Sequence, residues 1–276
     1  MFRHLVPETV ATAVLRADVD PGELCEEERV QIAAAAPRRQ AEFASARWCA
    51  RSALAGLGIP PAPLPRGRNG EPRWPSGVTG SITHCTGLRA AAVARQEHWR
   101  SLGIDAEVCA PTSSRVALAI THPVEREELA DLAARVPAVA WDRLIFSAKE
   151  SVFKAWFPLT GTVIGFLDAV VHLRVEDAPT SARPPEIAPD GGSGTPDGDP
   201  GPDRPSPAES LFLTPVGSLT SGHGAPGTGS PVEVSGTFLA ELDAERRRGH
   251  DVPAQMAGRW LLADGLLLTA VTVPQR

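Results

Sequence analysis

The chain has 276 residues, of which 42% are hydrophobic, and a formal net charge of −6. This length allows one large domain or two small ones. The negative charge argues against a general nucleic-acid-binding protein, which normally carries a basic excess. No run approaches the ~20 apolar residues that cross a bilayer. Because the four cysteines also form no Cys-x-x-Cys pair, we expect a cytoplasmic protein without disulfides or a zinc site, and with neither membrane nor nucleic acid as a partner.

The first part of the chain predicts a helix followed by three strands. Residues 26–57 are rich in Ala, Glu, Arg and Leu, and Pro37 must start or break a helix within them. Strand-like runs then follow at residues 78–84, 88–94 and 101–107.

The second part repeats this order. It predicts a helix at residues 123–135 and a longer one at 139–157, which we expect Pro158 to stop. Strands are expected at residues 166–175, 232–242, 258–262 and 266–273. A helix followed by about three strands, twice over, predicts an α+β fold of two similar halves, residues 1–110 and 111–276, in a pseudo-twofold arrangement. The sequence contains no detectable repeat that would prove this symmetry.

Residues 177–231 differ in composition from the rest of the chain. They are dominated by Pro, Gly, Ser, Thr and Asp, and such a segment buries too little apolar surface to offset chain entropy. We predict a disordered insertion at a hairpin tip, with one short ordered patch at residues 211–216. An insertion there costs little, because closure entropy grows slowly with loop length.

The first candidate for chemistry is Gly-Ile-Asp-Ala-Glu at residues 103–107. Side chains alternate along a strand, so Asp105 and Glu107 should share one face while Ile104 and Ala106 point into the core. Adjacent carboxylates suit Mg²⁺, which takes one or two of them and completes its shell with phosphate and water. Taken alone, the same pattern also describes two acids on the solvent face of an edge strand.

The second candidate is the predicted helix around residues 146–154, with the sequence FSAKESVFK. Aromatic and aliphatic side chains form an apolar stripe at helical spacing, and Glu150 lies at its border. Glu150 and Lys154 stand at i, i+4, the spacing of a surface ion pair. Lys149 falls near the centre of the stripe, where a structural lysine would have to extend its ammonium outward.

The third candidate is a set of phosphate-binding side chains. Thr83 and His84 lie at a strand end between small and hydroxyl residues, which fits a phosphate contact, although a lone histidine more often caps or packs. Arg66 belongs to a turn-prone loop that carries three arginines, and guanidinium groups pair readily with phosphate. Arg47 and Arg51 either add to this basic pocket or form a solvated helix face.

These clusters, in this order, resemble the 4′-phosphopantetheinyl transferase superfamily. Residues 103–107 match its first metal motif and residues 146–154 its signature helix. The sequences GEPRWP at 70–75 and GSITHC at 80–85 look like the long, monomeric group of the enterobactin synthase component D type. The resemblance spans residues 38–273, except for the insertion.

The resemblance implies a cleft between the two halves that binds coenzyme A as substrate. Asp105, Glu107 and Glu150 would then hold Mg²⁺, while Lys154 would contact the phosphates. The remaining coenzyme-binding residues implied by the resemblance are Thr83, His84, Arg39, Arg47 and Arg66, of which the three arginines would meet the adenosine 3′-phosphate end.

The implied reaction is attack by a carrier-protein serine on the β-phosphorus of coenzyme A, with release of adenosine 3′,5′-bisphosphate. Glu150 is the predicted base, directly or through a water, because the apolar wall beside it should raise its pKa. We expect a monomer that serves siderophore, polyketide or nonribosomal peptide synthesis. The alternatives are a non-catalytic coenzyme A-binding regulator, another Mg²⁺-dependent phosphate enzyme, or a structural module that uses the insertion as a binding arm.

Overall fold

The computed structural model describes residues 1–176 and 233–276. The predicted insertion at 177–231, including its patch at 211–216, lies outside the described residues. The helices among the described residues are α1 (Glu26–Ile32), α2 (Pro37–Gly56), α3 (Ser114–Ile120), α4 (Pro123–Arg135), α5 (Trp141–Thr160) and α6 (Ala244–Arg247). The strands are β1 (Val10–Leu15), β2 (Val78–Cys85), β3 (Leu88–Arg95), β4 (Trp99–Val108), β5 (Ala169–Val175), β6 (Val234–Leu242), β7 (Gln255–Ala263) and β8 (Leu266–Pro274).

The strands form two antiparallel sheets, so the fold is α+β as predicted. The smaller sheet has the order β1-β3-β2, and the larger has the order β4-β8-β7-β6-β5. Strands β5 and β6 pair across the insertion, from Ala169 opposite Leu242 to Val175 opposite Gly236. Strand β4 belongs to the larger sheet, where Asp105 pairs with Thr269 of β8. The pseudo-twofold arrangement and the division at residue 110 remain predictions.

Side-chain hydroxyls join the two sheets at β2 and β4. The backbone N–H of Ile104 donates to Ser81 Oγ at 3.1 Å, and that of Ala106 donates to Thr83 Oγ1 at 3.1 Å. Strand β4 is an edge of its sheet, and a buried edge must find partners for its backbone groups. The hydroxyls of β2 supply them, which places β2 beside the acids of β4.

Helix α5 packs on the larger sheet mainly through apolar side chains, with Ser147 hydrogen-bonded to Thr269 of β8 among them. Its buried side chains include Leu144, Val152 and Trp156. A Cβ on Gly103 would collide with the backbone of Ser151, so glycine in β4 allows the helix to approach this closely. The face of β4 that carries Asp105 and Glu107 is therefore turned toward α5, while Ile104 and Ala106 lie in a separate apolar cluster, as the alternation predicted.

Pro158 does not stop α5, which was a wrong prediction. The helix continues to Thr160 and ends at Gly161, whose φ of 65° is left-handed. A proline in the last turn removes only one backbone donor, and the left-handed glycine that follows provides the actual end of the helix.

Lys149 does not extend outward, contrary to the prediction. Its ammonium is buried and donates to Glu125 Oε2 at 2.8 Å, Ile120 O at 2.7 Å and Phe166 O at 2.9 Å. Burial lowers its pKa, an effect that Glu125 opposes. Since every proton of the ammonium has an acceptor, this lysine ties α5 to α3 and α4 as part of the core.

Within the described ranges, no helix combines the length and apolarity that crossing a bilayer requires. All four cysteines lie in these ranges and are free thiols.

Candidate active site

Asp105 is a buried carboxylate, 5% exposed, on the β4 face that meets α5. Its Oδ1 accepts hydrogen bonds from Thr83 Oγ1 at 3.0 Å and Lys154 Nζ at 2.7 Å. Its Oδ2 is buried and has no hydrogen-bond partner among the described residues. An orphaned carboxylate oxygen is costly, so the acids of β4 are not solvated edge residues, and Asp105 retains capacity to bind a cation.

Lys154 pairs with Asp105 rather than with Glu150. Besides Asp105, its ammonium donates to Ile104 O at 3.2 Å, and its side chain is only 9% exposed. The surface ion pair suggested by the i, i+4 spacing is therefore not formed. Helix α5 instead projects this ammonium across the junction to β4.

Glu107 lies next to Asp105 and contacts an arginine that was not among the predicted site residues. Arg143 Nη1 donates to Glu107 Oε2 at 3.3 Å, and Arg143 Nε donates to Ala110 O at 3.2 Å. Burial, reinforced by the charge of Asp105 and opposed by Arg143, raises the pKa of Glu107 to about 7. Arg143 sits one turn before the signature segment on α5, but nothing in its spacing marked it as a partner of β4.

Glu150 is half-buried, and among the described residues no donor or cation forms a hydrogen bond or ion pair with its carboxylate. Burial raises its pKa to about 8; Lys154 opposes this shift, while Asp105 and Glu107 add to it. The predicted upward shift is thereby confirmed. A carboxyl with a pKa near neutrality can exchange a proton with a reactant.

The three acids suit a divalent cation by their chemistry, although they do not form a closed cluster. Among the described residues, no three His, Cys, Asp or Glu side chains converge closely enough to hold a metal. Asp105 is held by Lys154 and Thr83, and Glu107 is held by Arg143. The unpartnered Oδ2 of Asp105 and the unpaired carboxylate of Glu150 nevertheless fit Mg²⁺, which needs only one or two protein carboxylates.

A cavity of about 370 Å³ opens beside Lys154. Arg47 of α2, Ser81 of β2 and Trp74 of the preceding loop line it, opposite Lys154 and Phe157 of α5. Arg47 is 1% exposed, and its Nε donates to Leu64 O at 2.7 Å. It therefore faces the cavity rather than a solvated helix face, whereas Arg51 pairs with Glu28 at 2.8 Å.

Arg39 and Arg66 lie near Arg47, and His84 lies near Arg39, but none of these three residues lines the cavity. Burial lowers the pKa of Arg39, with a smaller contribution from the charge of Arg66, and it lowers the pKa of Arg47 to about 9 and that of His84 to about 4. Glu42 of α2 lies 3.3 Å from Arg39 Nη1 and 3.8 Å from His84 Nε2. Glu42 was not predicted, because a lone glutamate in a helix carries no sequence signal.

Unpartnered polar atoms concentrate on the predicted site residues. Among the described residues, only four buried side-chain nitrogen or oxygen atoms lack a hydrogen-bond partner. They are Arg47 Nη2, Arg66 Nε, His84 Nε2 and Asp105 Oδ2. Buried polar groups are nearly always paired in native proteins, so this concentration is typical of a binding site.

Thr83 is brought to the site, but its hydroxyl is engaged by Asp105 and the Ala106 N–H. In this structure it supports the acid rather than opening toward the cavity, and a direct coenzyme contact remains a prediction. A larger groove of about 870 Å³ lies between His4–Pro7 and strands β5–β8, and none of the predicted site residues lines it.

The α+β fold thus brings the buried acids of β4 near a cavity lined by Arg47 and Lys154, an arrangement that suits a phosphate-bearing ligand. Residues 26–94 match the family model of the 4′-phosphopantetheinyl transferase N-terminal domain. Residues 101–190 match that of the 4′-phosphopantetheinyl transferase superfamily.

Curated relatives agree with these matches. The 4′-phosphopantetheinyl transferase Svp of Streptomyces mobaraensis is 50% identical over 186 residues, which cover 66% of this chain and 76% of the relative. The 4′-phosphopantetheinyl transferase Npt of Nocardia iowensis is 37% identical over 271 residues, 98% of this chain and 99% of the relative. Enterobactin synthase component D of Escherichia coli K12 is 35% identical over 159 residues, 55% and 73% respectively.

The chain therefore belongs to the 4′-phosphopantetheinyl transferase superfamily, in its long group, and is an enzyme of that class. The resemblance drawn from the motifs at residues 103–107 and 146–154 is confirmed.

Proposed function

We propose that this enzyme moves the 4′-phosphopantetheine group of coenzyme A to a serine of an acyl or peptidyl carrier protein, with Mg²⁺, and releases adenosine 3′,5′-bisphosphate. The observation that carries the proposal is the set of four unpartnered buried atoms: three lie on cationic or imidazole side chains and one on a carboxylate. The phosphates of coenzyme A would pair with the basic side chains, and a divalent cation on its pyrophosphate would bind the carboxylate.

Asp105, Glu107 and Glu150 would hold Mg²⁺, whose chemistry is to neutralise charge on the pyrophosphate. Lys154 Nζ donates a hydrogen bond to Asp105 Oδ1 at 2.7 Å, and Lys154 also lines the cavity. A phosphate in that cavity would attract the same ammonium, so Lys154 would shift part of its pairing from Asp105 to the phosphates.

Arg47 and Lys154 line the cavity from opposite elements, α2 and α5. We assign Lys154 to the pyrophosphate because it contacts the acid of β4. Arg47, with Arg39, Arg66 and His84 beside it, would meet the 3′-phosphate of the adenosine. His84 would act as a neutral hydrogen-bonding group, because burial holds its pKa near 4.

The reaction forms a bond between the serine oxygen and the β-phosphorus and breaks the bond from that phosphorus to the oxygen of the departing adenosine 3′,5′-bisphosphate. The serine proton must leave as the first bond forms. Glu150 would accept it, because its carboxylate is not held by a described donor and its pKa lies near neutrality.

The carrier protein belongs to siderophore, polyketide or nonribosomal peptide assembly in this proposal, and a curated relative is named for enterobactin synthesis. We further propose that the enzyme works as a cytoplasmic monomer and engages neither nucleic acid nor membrane. The non-catalytic regulator is not favoured, because the relatives that match the chain are named as transferases.

The test is incubation with coenzyme A, Mg²⁺ and several apo carrier proteins, read by intact-protein mass spectrometry. We expect a gain of one phosphopantetheine mass on at least one carrier, and no gain on that carrier after substitution of its acceptor serine by alanine. Binding of coenzyme A without a mass gain on any carrier would contradict the proposed transfer. Consumption of coenzyme A without modification would indicate a hydrolase.

A further inference from the structure

Glu42 is an acid buried within a cluster of cations. It lies on α2 and is 5% exposed. Arg38 Nε donates to its Oε1 at 3.0 Å, Arg39 Nη1 donates to its Oε2 at 3.3 Å, and His84 Nε2 lies 3.8 Å from Oε2. No sequence motif includes Glu42.

Arg39 links Glu42 to a basic cluster in which several buried nitrogens lack hydrogen-bond partners. These are Arg47 Nη2, Arg66 Nε and His84 Nε2. Burial lowers the pKa of Arg39 and Arg47, and the charge of Arg66 lowers both further. Buried cations without compensation are costly. The charge of Glu28 already compensates Arg47, whereas Glu42 pairs with Arg39, so Glu42 stabilises its end of the cluster before any ligand binds.

A phosphate that enters such a cluster meets the same carboxylate as a like charge. Glu42 already accepts a hydrogen bond from Arg39 Nη1, and its carboxylate also lies near His84. Like charges placed side by side at a binding interface cost affinity. Glu42 stabilises the cluster in the absence of ligand, and it should therefore lower the affinity of the cluster for an anion.

We propose that Glu42 is an internal counter-anion that sets the affinity of this cluster for the 3′-phosphate of coenzyme A and of the bisphosphate product. The inference rests on the proposed function, because it takes that phosphate as the ligand of Arg39, Arg47 and Arg66. Glu42 stands in for the phosphate while the site is empty and opposes it once bound, which favours release of the bisphosphate after transfer.

The experiment is calorimetric titration of adenosine 3′,5′-bisphosphate, coenzyme A and 3′-dephospho-coenzyme A into the wild-type chain and the variant Glu42→Gln. The amide keeps the size of the side chain and one acceptor oxygen but removes the charge. We expect the bisphosphate and coenzyme A to bind roughly tenfold more tightly to the variant, as loss of one nearby like charge implies. The affinity for 3′-dephospho-coenzyme A should change less than twofold.

Thermal unfolding supplies a second measurement that needs no turnover. Without ligand, Glu42→Gln should melt at a lower temperature than the wild type, because its arginines are less compensated. The stabilisation by the same saturating concentration of bisphosphate should be larger in the variant, since it grows with the logarithm of the ratio of ligand concentration to Kd. Glu241→Gln, an exposed position on β6, makes the same change in net charge and should alter neither measurement.

Unchanged or weaker binding of the bisphosphate by Glu42→Gln would overturn the inference, as would equal tightening of 3′-dephospho-coenzyme A. If Glu42→Gln does not fold, Glu42→Asp withdraws the charge by one methylene and should tighten binding in the same sense by a smaller factor; unchanged affinity would again overturn it. A wild-type chain that binds neither coenzyme A nor the bisphosphate would instead refute the proposed function, and the inference with it.

Discussion

Lys149 and Lys154 lie close together on α5, and both are buried and paired with a carboxylate, yet their surroundings differ. Lys149 has three acceptors, and its partner Glu125 also accepts from the N–H groups of His122 and Val171. Lys154 pairs with Asp105, whose second oxygen has no partner, and it lines a cavity. A buried ion pair with every group satisfied holds the fold together, whereas one with an unsatisfied oxygen at a cavity retains capacity for a ligand.

The largest expected effect comes from breaking the satisfied pair. Lys149→Met leaves Glu125 charged and buried without its cation, which costs about 3–5 kcal/mol for pairs of this kind. We expect that loss in the free energy of unfolding measured with urea. A loss below ~1 kcal/mol would mean that the Lys149–Glu125 pair does not stabilise the fold as proposed.

The second prediction concerns Glu150, the proposed base. Glu150→Gln should lower the rate of transfer by about 10²–10⁴, the usual range for loss of a general acid or base. Coenzyme A binding, measured by calorimetry, should remain, because the coenzyme is assigned to Arg47 and Lys154. A variant with near-normal turnover would place the base elsewhere.

Lys154→Met should reduce the turnover rate by about 10²–10³, the cost of losing one charged group that stabilises the transition state. Its free energy of unfolding should fall by less than that of Lys149→Met, because Lys154 itself lines a cavity, from which water can reach the space that its ammonium leaves beside Asp105. If both variants lose equal stability, the two lysines do not differ in the way proposed.

The smallest expected effect is a dependence of stability on pH in the metal-free protein. Glu107 and Glu150 have folded pKa values of about 7 and 8, above the ordinary 4.5. Between pH 4.5 and these values the folded state binds more protons than the unfolded state, so stability falls as pH rises toward them and levels off above.

The useful window for this measurement is pH 6.5–8. Below pH 6.5, His84 makes stability rise with pH instead, because its folded pKa of about 4 lies under its ordinary 6.5. Above the window, Cys49 and Cys85, whose pKa values burial raises to about 12, add to the fall. We expect urea unfolding with a chelator present to show declining stability across the window and a shallower decline in Glu150→Gln. A rise in stability with pH would contradict the assignment.

The regular elements with strong local signals could be predicted from the sequence. Helix α4 begins at Pro123 and ends at Arg135, as expected, because proline at the first turn marks the start of a helix. Strand β1 was missed: it is a short edge strand whose mostly half-buried residues give no clear alternation. Its existence depends on pairing with β3, a long-range contact that local patterns do not report.

The acids of the site could also be predicted, but their partners could not. Asp105 and Glu150 were found from their spacing and from the family resemblance. Three of these contacts arise where separate elements meet. They are the hydrogen bond from Thr83 to Asp105, the pairing of Arg143 with Glu107, and the position of Glu42 next to His84. Those contacts depend on how β2, β4, α2 and α5 pack, which motifs do not encode.

The pairing of β4 with β8 has a consequence for the order in which the protein can be made. Asp105 lies opposite Thr269, so the strand that carries the first metal motif gains its sheet neighbour only after β8 has left the ribosome. Pairing between strands so far apart in sequence is slow, because a long loop must close first. A nascent chain halted before β8 should therefore contain every motif of the active site without an active site, and catalytic competence should arise only once β8 has been made.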